Sequence, residues 1–244
     1  MGTVEQASLV EAKETIGFGG LGARLNWLRA GELGANDGFV SGAGICIGVA
    51  AADPTNTTAI LTAGVAGLLA GASAMAMGEY VSVSSQRDTE VALIAKERRD
   101  LEATPSEEFD ELVAVYRGQG LSDSTARLVV QELTAHDPLA AHLRAEYGIH
   151  QDELINPWHA AAASAIAFTS GFLFPLLMMV LVPAGIRIPA TIAISVLGLF
   201  ATGWFSGHIS EAAKHHPIIR NVIGGSLAMA LTWGIGHLFG VVAG

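Results

Sequence analysis

The chain has 244 residues, of which 51% are hydrophobic and only 15% are Asp, Glu, Lys or Arg, and its mean hydropathy is +0.45. An ordinary soluble domain carries about 25% charged residues, so this composition excludes that class. The formal net charge of −10 argues against nucleic acid as a partner. The single cysteine, Cys46, excludes an internal disulfide.

Residues 1–33 form the first predicted segment, an N-terminal tail followed by an interfacial helix. Acidic residues precede the first apolar run, which is not the layout of a secretory signal. Leucine and tryptophan then mix with Arg24 and Arg29 over residues 21–29. This pattern predicts a short amphipathic helix lying at the membrane face.

Five apolar runs follow, and each is free of Asp, Glu, Lys and Arg over most of its length. A helix of roughly 20 apolar residues crosses the hydrocarbon core of a bilayer. The chain is therefore predicted to be an all-α integral membrane protein, a five-helix bundle with a helical domain inserted between spans 2 and 3. The predicted spans are 34–52, 56–82, 158–182, 188–208 and 218–242. The segments are 34–82 (spans 1 and 2), 83–157 (the inserted domain) and 158–244 (spans 3 to 5).

The distribution of basic residues predicts the orientation. With five spans, the N-terminus, residues 83–157 and the loop 209–217 with its flank lie on one side, together with 12 of the 13 basic residues. Only Arg187 falls on the other side. Basic residues concentrate in cytoplasmic loops, so the N-terminus and residues 83–157 are predicted to be cytoplasmic in a multi-pass cell-membrane protein, with the C-terminus on the far side.

Glycines recur at four-residue spacing in the first two spans, which allows helix backbones to approach closely in lipid. This spacing predicts a compact bundle, and a seam between two copies is a second possible use. The pairs are Gly38/Gly42, Gly44/Gly48 and Gly67/Gly71.

The inserted segment 83–157 holds 15 acidic and 7 basic residues, a formal charge of −8. The helix of the second span is predicted to continue to about Glu102. Three further helices are predicted. The first begins at the capping-box pattern Thr104-Pro105-Ser106-Glu107, and the second begins near Ser122. The third has Asp137 as cap and Pro138 at its first position, and it ends at Gly148.

Several acidic side chains of this segment share a helix face, since residues three or four apart are neighbours. The pairs are Glu97/Asp100, Glu108/Glu111 and His142/Glu146. Together they would offer an oxygen-rich site with one imidazole for a divalent cation. A solvated charged surface with intrahelical ion pairs is the alternative that spacing alone leaves open.

Ionisable groups inside spans are costly and mark functional candidates. Asp37 opens the predicted first span and Glu79 lies near the cytoplasmic end of the second. With the thioethers of Met75 and Met77, they would form a path for a borderline metal ion. Capping by Asp37, interfacial solvation of either carboxylate, and simple packing of the methionines remain the alternatives.

Four motifs resemble those of the vacuolar iron transporter family. They are Gly34-Ala-Asn-Asp-Gly-Phe-Val-Ser41, Ser73-Ala-Met-Ala-Met-Gly-Glu-Tyr-Val-Ser-Val-Ser-Ser-Gln-Arg-Asp88, Ala135-His-Asp-Pro138 and Asn156-Pro-Trp-His-Ala-Ala-Ala-Ala-Ser-Ala-Ile-Ala-Phe168. The resemblance implies a five-span protomer that works as a homodimer with a pore between the first spans. It also implies export of Fe²⁺ or Mn²⁺ from the cytosol in exchange for protons, with metal gathered by the cytoplasmic domain.

The resemblance also implies roles for individual residues. Asp37 matches the family's pore aspartate and Met75 its pore methionine. The acids that match the family's metal-binding positions are Glu97, Asp100, Glu108, Glu111 and Glu146. The sequence departs from plant-like members at three places. Asp100 stands where those members carry Glu, and His142 and Leu143 stand where they carry paired methionines. Gly67 stands where they carry a glutamate in the second span, whose role Glu79 would take over. Histidine for methionine makes the site less soft, so manganese is as plausible as iron.

The predicted function is therefore a proton-coupled divalent metal transporter that acts as a homodimer in the bilayer. Its cargo is Fe²⁺ or Mn²⁺, with Co²⁺ or Zn²⁺ as further options, and no prosthetic group is expected. Two alternatives remain at this point. One is a membrane-tethered metal sensor or buffer, and the other is a membrane-anchored di-iron enzyme, for which the Glu-x-x-His pairs of such sites are missing.

Overall fold

The computed structural model describes residues 21–150, 154–209 and 215–243. The regular structure of these residues is helical, with no strand among them. The elements are α1 (Leu21–Ala52), α2 (Thr57–Ala103), α3 (Pro105–Gly118), α4 (Asp123–His136), α5 (Pro138–His142), a π-helical turn (Leu143–Tyr147), α6 (Pro157–Leu181), α7 (Arg187–Ile209) and α8 (His215–Ala243). The predicted tail at 1–20 lies outside the described residues.

Five helices are long and apolar enough to cross a membrane. They are Trp27–Ala52, Thr57–Ala103, Pro157–Leu181, Arg187–Ile209 and His215–Val242. The all-α class and the presence of five helices able to cross a membrane are thus confirmed among the described residues. The bundle arrangement and the cytoplasmic position of residues 83–157 stay predictions.

Helix α1 differs from its prediction because it is continuous from Leu21 to Ala52. A separate interfacial helix over 21–29 was expected, with Asp37 near the start of the span. No proline interrupts this stretch, and a glycine inside a helix costs only about 1 kcal/mol, so nothing stops the helix. Asp37 consequently lies well inside α1, which excludes the capping role considered for it.

Helix α2 is the longest element, with 47 residues. At 1.5 Å per residue its length is about 70 Å, more than twice the roughly 30 Å of a hydrocarbon core. The prediction that the second span continues as helix to about Glu102 is confirmed. A large part of this helix must therefore lie outside the hydrocarbon if the helix crosses a bilayer.

The short helices begin where their local signals predicted. The backbone N–H of Thr125 donates to Ser122 Oγ (3.3 Å), and that of Ala140 donates to Asp137 Oδ1 (3.0 Å). The capping box at Thr104 was wrong, although α3 does begin at Pro105. The Thr104 side chain forms no cap bond, and its hydroxyl donates instead to the carbonyl oxygen of Asp100 (3.3 Å).

By Cα packing the chain separates into two compact units, one containing Ser82–Asn156 and the other containing Leu25–Val81 and Pro157–Gly244. In the smaller unit, α3, α4 and α5 share a small apolar core. Its buried members are Leu112, Val113, Ala126, Val130 and Ala141. Burial of these side chains holds the ends of the short helices in fixed positions, which matters for the polar groups that they carry.

In the larger unit, α1 packs through its glycines. A Cβ atom at Gly38 would collide with the carbonyl oxygen of Phe168, and one at Gly42 would lie 2.9 Å from Pro175 Cγ, both on α6. Gly44 and Gly48 face Thr232 of α8. The predicted close approach of helices through these glycines is confirmed, and the contacts are made within one chain.

The glycines of α2 are used in the same way. A Cβ atom at Gly67 would lie 2.6 Å from Ile45 Cδ1, and one at Gly71 would collide with the ring of Phe168. These contacts border an apolar core of α1, α2, α6 and α8. Its buried members are Ala43, Cys46, Ile47, Ala50, Ile60, Phe168, Phe172, Leu176, Met179 and Met229.

Candidate metal centre

Three carboxylates of the smaller unit surround one imidazole nitrogen. His142 Nδ1 lies 2.8 Å from Glu146 Oε1, 3.1 Å from Glu97 Oε1 and 3.8 Å from Glu108 Oε2. Ligand atoms of Glu97, Glu108 and His142 all lie within 4.8 Å of one another. This is the only such group of three or more potential ligands among the residues that the structure describes.

Four different elements supply these side chains. Glu97 lies on α2, Glu108 in the first turn of α3 after Pro105, His142 at the end of α5 and Glu146 in the π-helical turn. Gly148 closes that turn with φ of +66°, a left-handed conformation that glycine adopts readily, and Ile149 N–H donates to the carbonyl of Leu143 (2.9 Å). Single π-helical turns occur frequently at functional sites.

The cluster is shielded from solvent. The side chains of His142 and Glu97 are 1% and 2% exposed, and those of Glu146 and Glu108 are 10% and 12% exposed. Glu97 Oε1 is buried and has no hydrogen-bond partner with acceptable geometry. Leaving a buried acceptor unsatisfied costs about 1–3 kcal/mol. A cation bound to this oxygen would remove that cost.

The electrostatics of the cluster favour an added positive charge. Burial raises the pKa of Glu97, and the charge of Glu146 raises it further, while His142 partly offsets both effects. Burial also raises the pKa of Glu108, with Glu111 as the next cause. Both carboxyl groups therefore hold protons more tightly than ordinary glutamates, and a divalent cation would compete with those protons.

The structure brings together four of the six predicted metal ligands. Asp100 instead pairs with Lys96 on the same helix, with Nζ and Oδ2 2.9 Å apart. Glu111 is exposed. Both raise the pKa of Glu108 through their charge, so they strengthen the negative potential of the cluster without belonging to the group of close ligand atoms. The metal-binding role of all six residues stays a prediction.

The predicted pathway residues lie in the larger unit, and each has its own surroundings. Asp37 is half-buried and its Oδ1 accepts a hydrogen bond from Ser41 Oγ (2.7 Å). Met75 packs against the apolar core. Glu79 is 7% exposed, and its Oε2 lies 3.3 Å from Nη2 of Arg29. Their transport role stays a prediction.

Sequence reasoning missed the partners of these residues. Ser41 follows Asp37 by four positions, a helical spacing that would have revealed the hydrogen bond. Arg29 is 50 residues from Glu79, and no local pattern links them. A polar group beside Asp37 was also missed, in which Asn36 Oδ1 accepts from Thr202 Oγ1 (2.5 Å) and Asn221 Nδ2 (3.3 Å).

The five apolar helices and the shielded carboxylate–imidazole cluster define a multi-pass membrane protein with a candidate site for a divalent cation. The sequence profile of the VIT family matches residues 28–237, and the chain belongs to this family. The resemblance identified from the motifs is thereby confirmed.

Curated relatives cover most of the chain. A protein named vacuolar iron transporter from Acanthamoeba castellanii is 38% identical over 227 residues, which are 93% of this chain and 81% of the relative. Vacuolar iron transporter homolog 1 of Oryza sativa subsp. japonica is 37% identical over 90% of this chain and 76% of its own length. Homolog 3 of Arabidopsis thaliana is 36% identical over 89% of this chain and 85% of its own length.

Proposed function

We propose that this protein exports a divalent metal ion, Fe²⁺ or Mn²⁺, from the cytosol across a membrane in exchange for protons. The names of its relatives support metal transport. The observation that carries the proposal is the shielded cluster of Glu97, Glu108 and His142, in which one buried carboxylate oxygen accepts no hydrogen bond. Because the relatives are named as transporters, no catalytic role is proposed.

The first step is capture of the cation by the cluster, which would lie on the cytoplasmic side. Carboxylate oxygens suit hard cations and imidazole suits Fe²⁺ and the later divalent metals. His142 Nδ1 stands among the three carboxylates, so a metal would take the place of a proton there. Binding would therefore release protons.

The second step is passage along Asp37, Met75 and Glu79. The half-buried Asp37 offers one oxygen to Ser41, and its carboxylate keeps further lone pairs for a cation. Glu79 faces Arg29, so a metal reaching Glu79 has to replace the guanidinium as its partner. Protonation of Asp37 from the far side would weaken metal binding and release the ion, which couples metal export to proton entry.

The pathway is proposed to form between the first spans of two copies of the chain, with an exposed face of α2 in the contact between the copies. Helix α2 is the least buried of the five candidate spans, because only 11% of its most apolar stretch is buried within one chain. One of its exposed rows consists of small residues at four-residue spacing, which permits close helix contact in lipid. These residues are Thr62, Ala66, Ala70, Ala74 and Gly78.

Metal uptake into proteoliposomes tests the proposal. Fe²⁺, Mn²⁺, Co²⁺ and Zn²⁺ are compared with and without an imposed pH gradient, and the gradient should accelerate uptake of the physiological cargo. Asp37→Ala should abolish flux while the protein still inserts. The matched control is Asp53→Ala, which removes an exposed aspartate from the loop between α1 and α2.

The same experiment separates a transporter from a tethered sensor or buffer. Metal binding without flux through the wild-type protein would favour the sensor or buffer and would contradict transport. Wild-type flux through the Asp37→Ala variant would instead remove this residue from the pathway. Proton counting with a pH-sensitive dye in the vesicle lumen measures the exchange directly.

A further inference from the structure

A second charged group is buried in the larger unit, at the opposite end of the predicted spans from Glu79. Arg187 is the first residue of α7 and is only 6% exposed. Its Nη1 donates to Thr57 Oγ1 (3.3 Å), while its Nε is buried and has no hydrogen-bond partner. No carboxylate of the described residues lies within ion-pair distance of it.

A buried guanidinium without an anion is unfavourable, because it has lost water and gained no counter-charge. The surroundings add to its positive potential. Thr57 and Arg187 are the first residues of α2 and α7, and the N-terminus of a helix carries a partial positive charge. One turn along α7, the hydroxyl of Thr191 is also buried and without a partner.

We propose that Arg187 forms a phosphate-binding site at the outer end of the fourth span. The planar guanidinium binds phosphate oxygens through two parallel hydrogen bonds, and the unpaired Nε is one of the donors that such a pair needs. The hydroxyl of Thr57, which accepts from Arg187 Nη1, and the unpaired hydroxyl of Thr191 would supply further hydrogen bonds to the anion. The group bound is the phosphate of a phospholipid headgroup or inorganic phosphate.

The position of Arg187 suits a headgroup phosphate. It begins the fourth candidate span, Arg187–Ile209, and the ends of a span lie at the depth of the polar headgroups. It is also the one basic residue on the predicted far side of the membrane. A phosphate there would neutralise it without a carboxylate from the protein and would fix the beginnings of α2 and α7 together.

Thermal unfolding of the full-length protein in detergent, after removal of lipid, tests the site. Phosphatidylglycerol should raise the melting temperature, whereas diacylglycerol with the same acyl chains should not. Arg187→Gln should weaken the response to phosphatidylglycerol about tenfold or more in concentration, because a bidentate charge-assisted pair is lost. A parallel titration with inorganic phosphate at constant ionic strength distinguishes the free anion from the headgroup.

The matched control is Arg220→Gln, which removes the same charge from an exposed position on α8. An equal response of Arg187→Gln and Arg220→Gln to both phosphate compounds would overturn the proposal. Should Arg187→Gln fail to fold, Arg187→Lys keeps the charge but lacks the planar fork, and its response should be intermediate. Native mass spectrometry of the wild-type protein gives a further check, and equal retention of phosphatidylglycerol and diacylglycerol would also refute the site.

Discussion

Glu97 is a residue whose ionised side chain destabilises the folded protein in the absence of metal. Its side chain is almost fully buried, and its Oε1 lies 3.1 Å from His142 Nδ1 without accepting a hydrogen bond. Burial raises the pKa of this carboxyl group in the folded protein. The folded state therefore binds the proton more tightly than the unfolded state does, and the ionised carboxylate destabilises the metal-free fold.

Replacement of Glu97 by Gln should have opposite effects on the metal-free protein and on metal binding. Near neutral pH the free energy of unfolding of the metal-free variant should rise by on the order of 1 kcal/mol, since a buried negative charge is removed. The variant should therefore unfold at a higher temperature. The stabilisation that Mn²⁺ gives to the wild-type protein should be lost. Thermal unfolding with and without Mn²⁺ measures both effects.

Glu107→Gln is the control for this variant, because Glu107 is an exposed carboxylate next to Glu108. It should leave both the metal-free stability and the Mn²⁺ effect nearly unchanged. A Glu97→Gln protein that is less stable without metal, yet still stabilised by Mn²⁺, would show that Glu97 has a structural role instead.

The pH dependence of metal binding follows from the same two carboxyl groups. The pKa values of Glu97 and Glu108 are raised from the ordinary value of 4.5. Protons therefore compete with metal at a higher pH than at ordinary glutamates, and the affinity for Mn²⁺ should fall as the pH is lowered toward and through the raised pKa values. The stability of the metal-free protein should change in the opposite sense, decreasing as the pH rises through these values.

Isothermal titration calorimetry over a series of pH values, in buffers of different ionisation enthalpy, measures the affinity and the protons released per Mn²⁺ bound. The Glu97→Gln variant should release fewer protons than the wild-type protein. An affinity that stays constant down to the ordinary pKa of a glutamate would contradict a binding site at these carboxylates.

At the scale of the helix, the local signals were informative about where elements begin. Asp137 caps its helix as predicted, and Ser122, near which a helix start was predicted, caps another. Thr104 does not, because its hydroxyl bonds backwards to the last turn of α2. A capping pattern thus identifies the start of a helix more reliably than it identifies the hydrogen bond that stabilises the start.

Glycine substitutions on α1 test whether its packing is as close as the structure shows. Gly38→Ala adds a Cβ atom against the backbone carbonyl of Phe168, which cannot move like a flexible side chain, so it should destabilise the protein by about 1–3 kcal/mol. Gly31→Ala, on the same helix with nothing within 4 Å of the new Cβ, should be neutral or stabilising by up to about 1 kcal/mol.

The measurement is the thermal midpoint of each purified variant in the same detergent. Equal midpoints for the two variants would mean that α1 and α6 are further apart than described. A parallel comparison of the amount of protein in the membrane shows whether Gly38→Ala acts before or after insertion.

At the scale of the whole molecule, the exposed small-residue row of α2 predicts where two copies meet. In a Cys46→Ser background, Ala70→Cys should form a disulfide between two chains when membranes are oxidised, because small residues allow the backbones to approach. Leu227→Cys, an exposed position near the middle of α8, should remain monomeric because it is expected to face lipid.

Non-reducing electrophoresis of oxidised membranes at several expression levels reads out this prediction. Cross-linking of both cysteines to the same extent would indicate random collision, and cross-linking of Leu227→Cys alone would place the contact on α8. Either result would contradict a contact between two copies along this row of α2.

The sequence by itself determined the helical class, the five membrane-crossing segments and most helix starts. These features depend on composition, on the fixed thickness of a bilayer and on residues within one helical turn of each other. It also indicated which acids share a helix face, and its motifs identified the family that the profile match confirms.

Only the tertiary structure decided which of these side chains meet. Glu97, Glu108 and His142 come from three helices, and helical periodicity cannot report how those helices are brought together. For the same reason the structure alone paired Glu79 with Arg29, separated Asp100 from the cluster by pairing it with Lys96, and left Arg187 buried without a carboxylate. Contacts between helices depend on the packing of apolar faces, and that packing is a property of the whole fold.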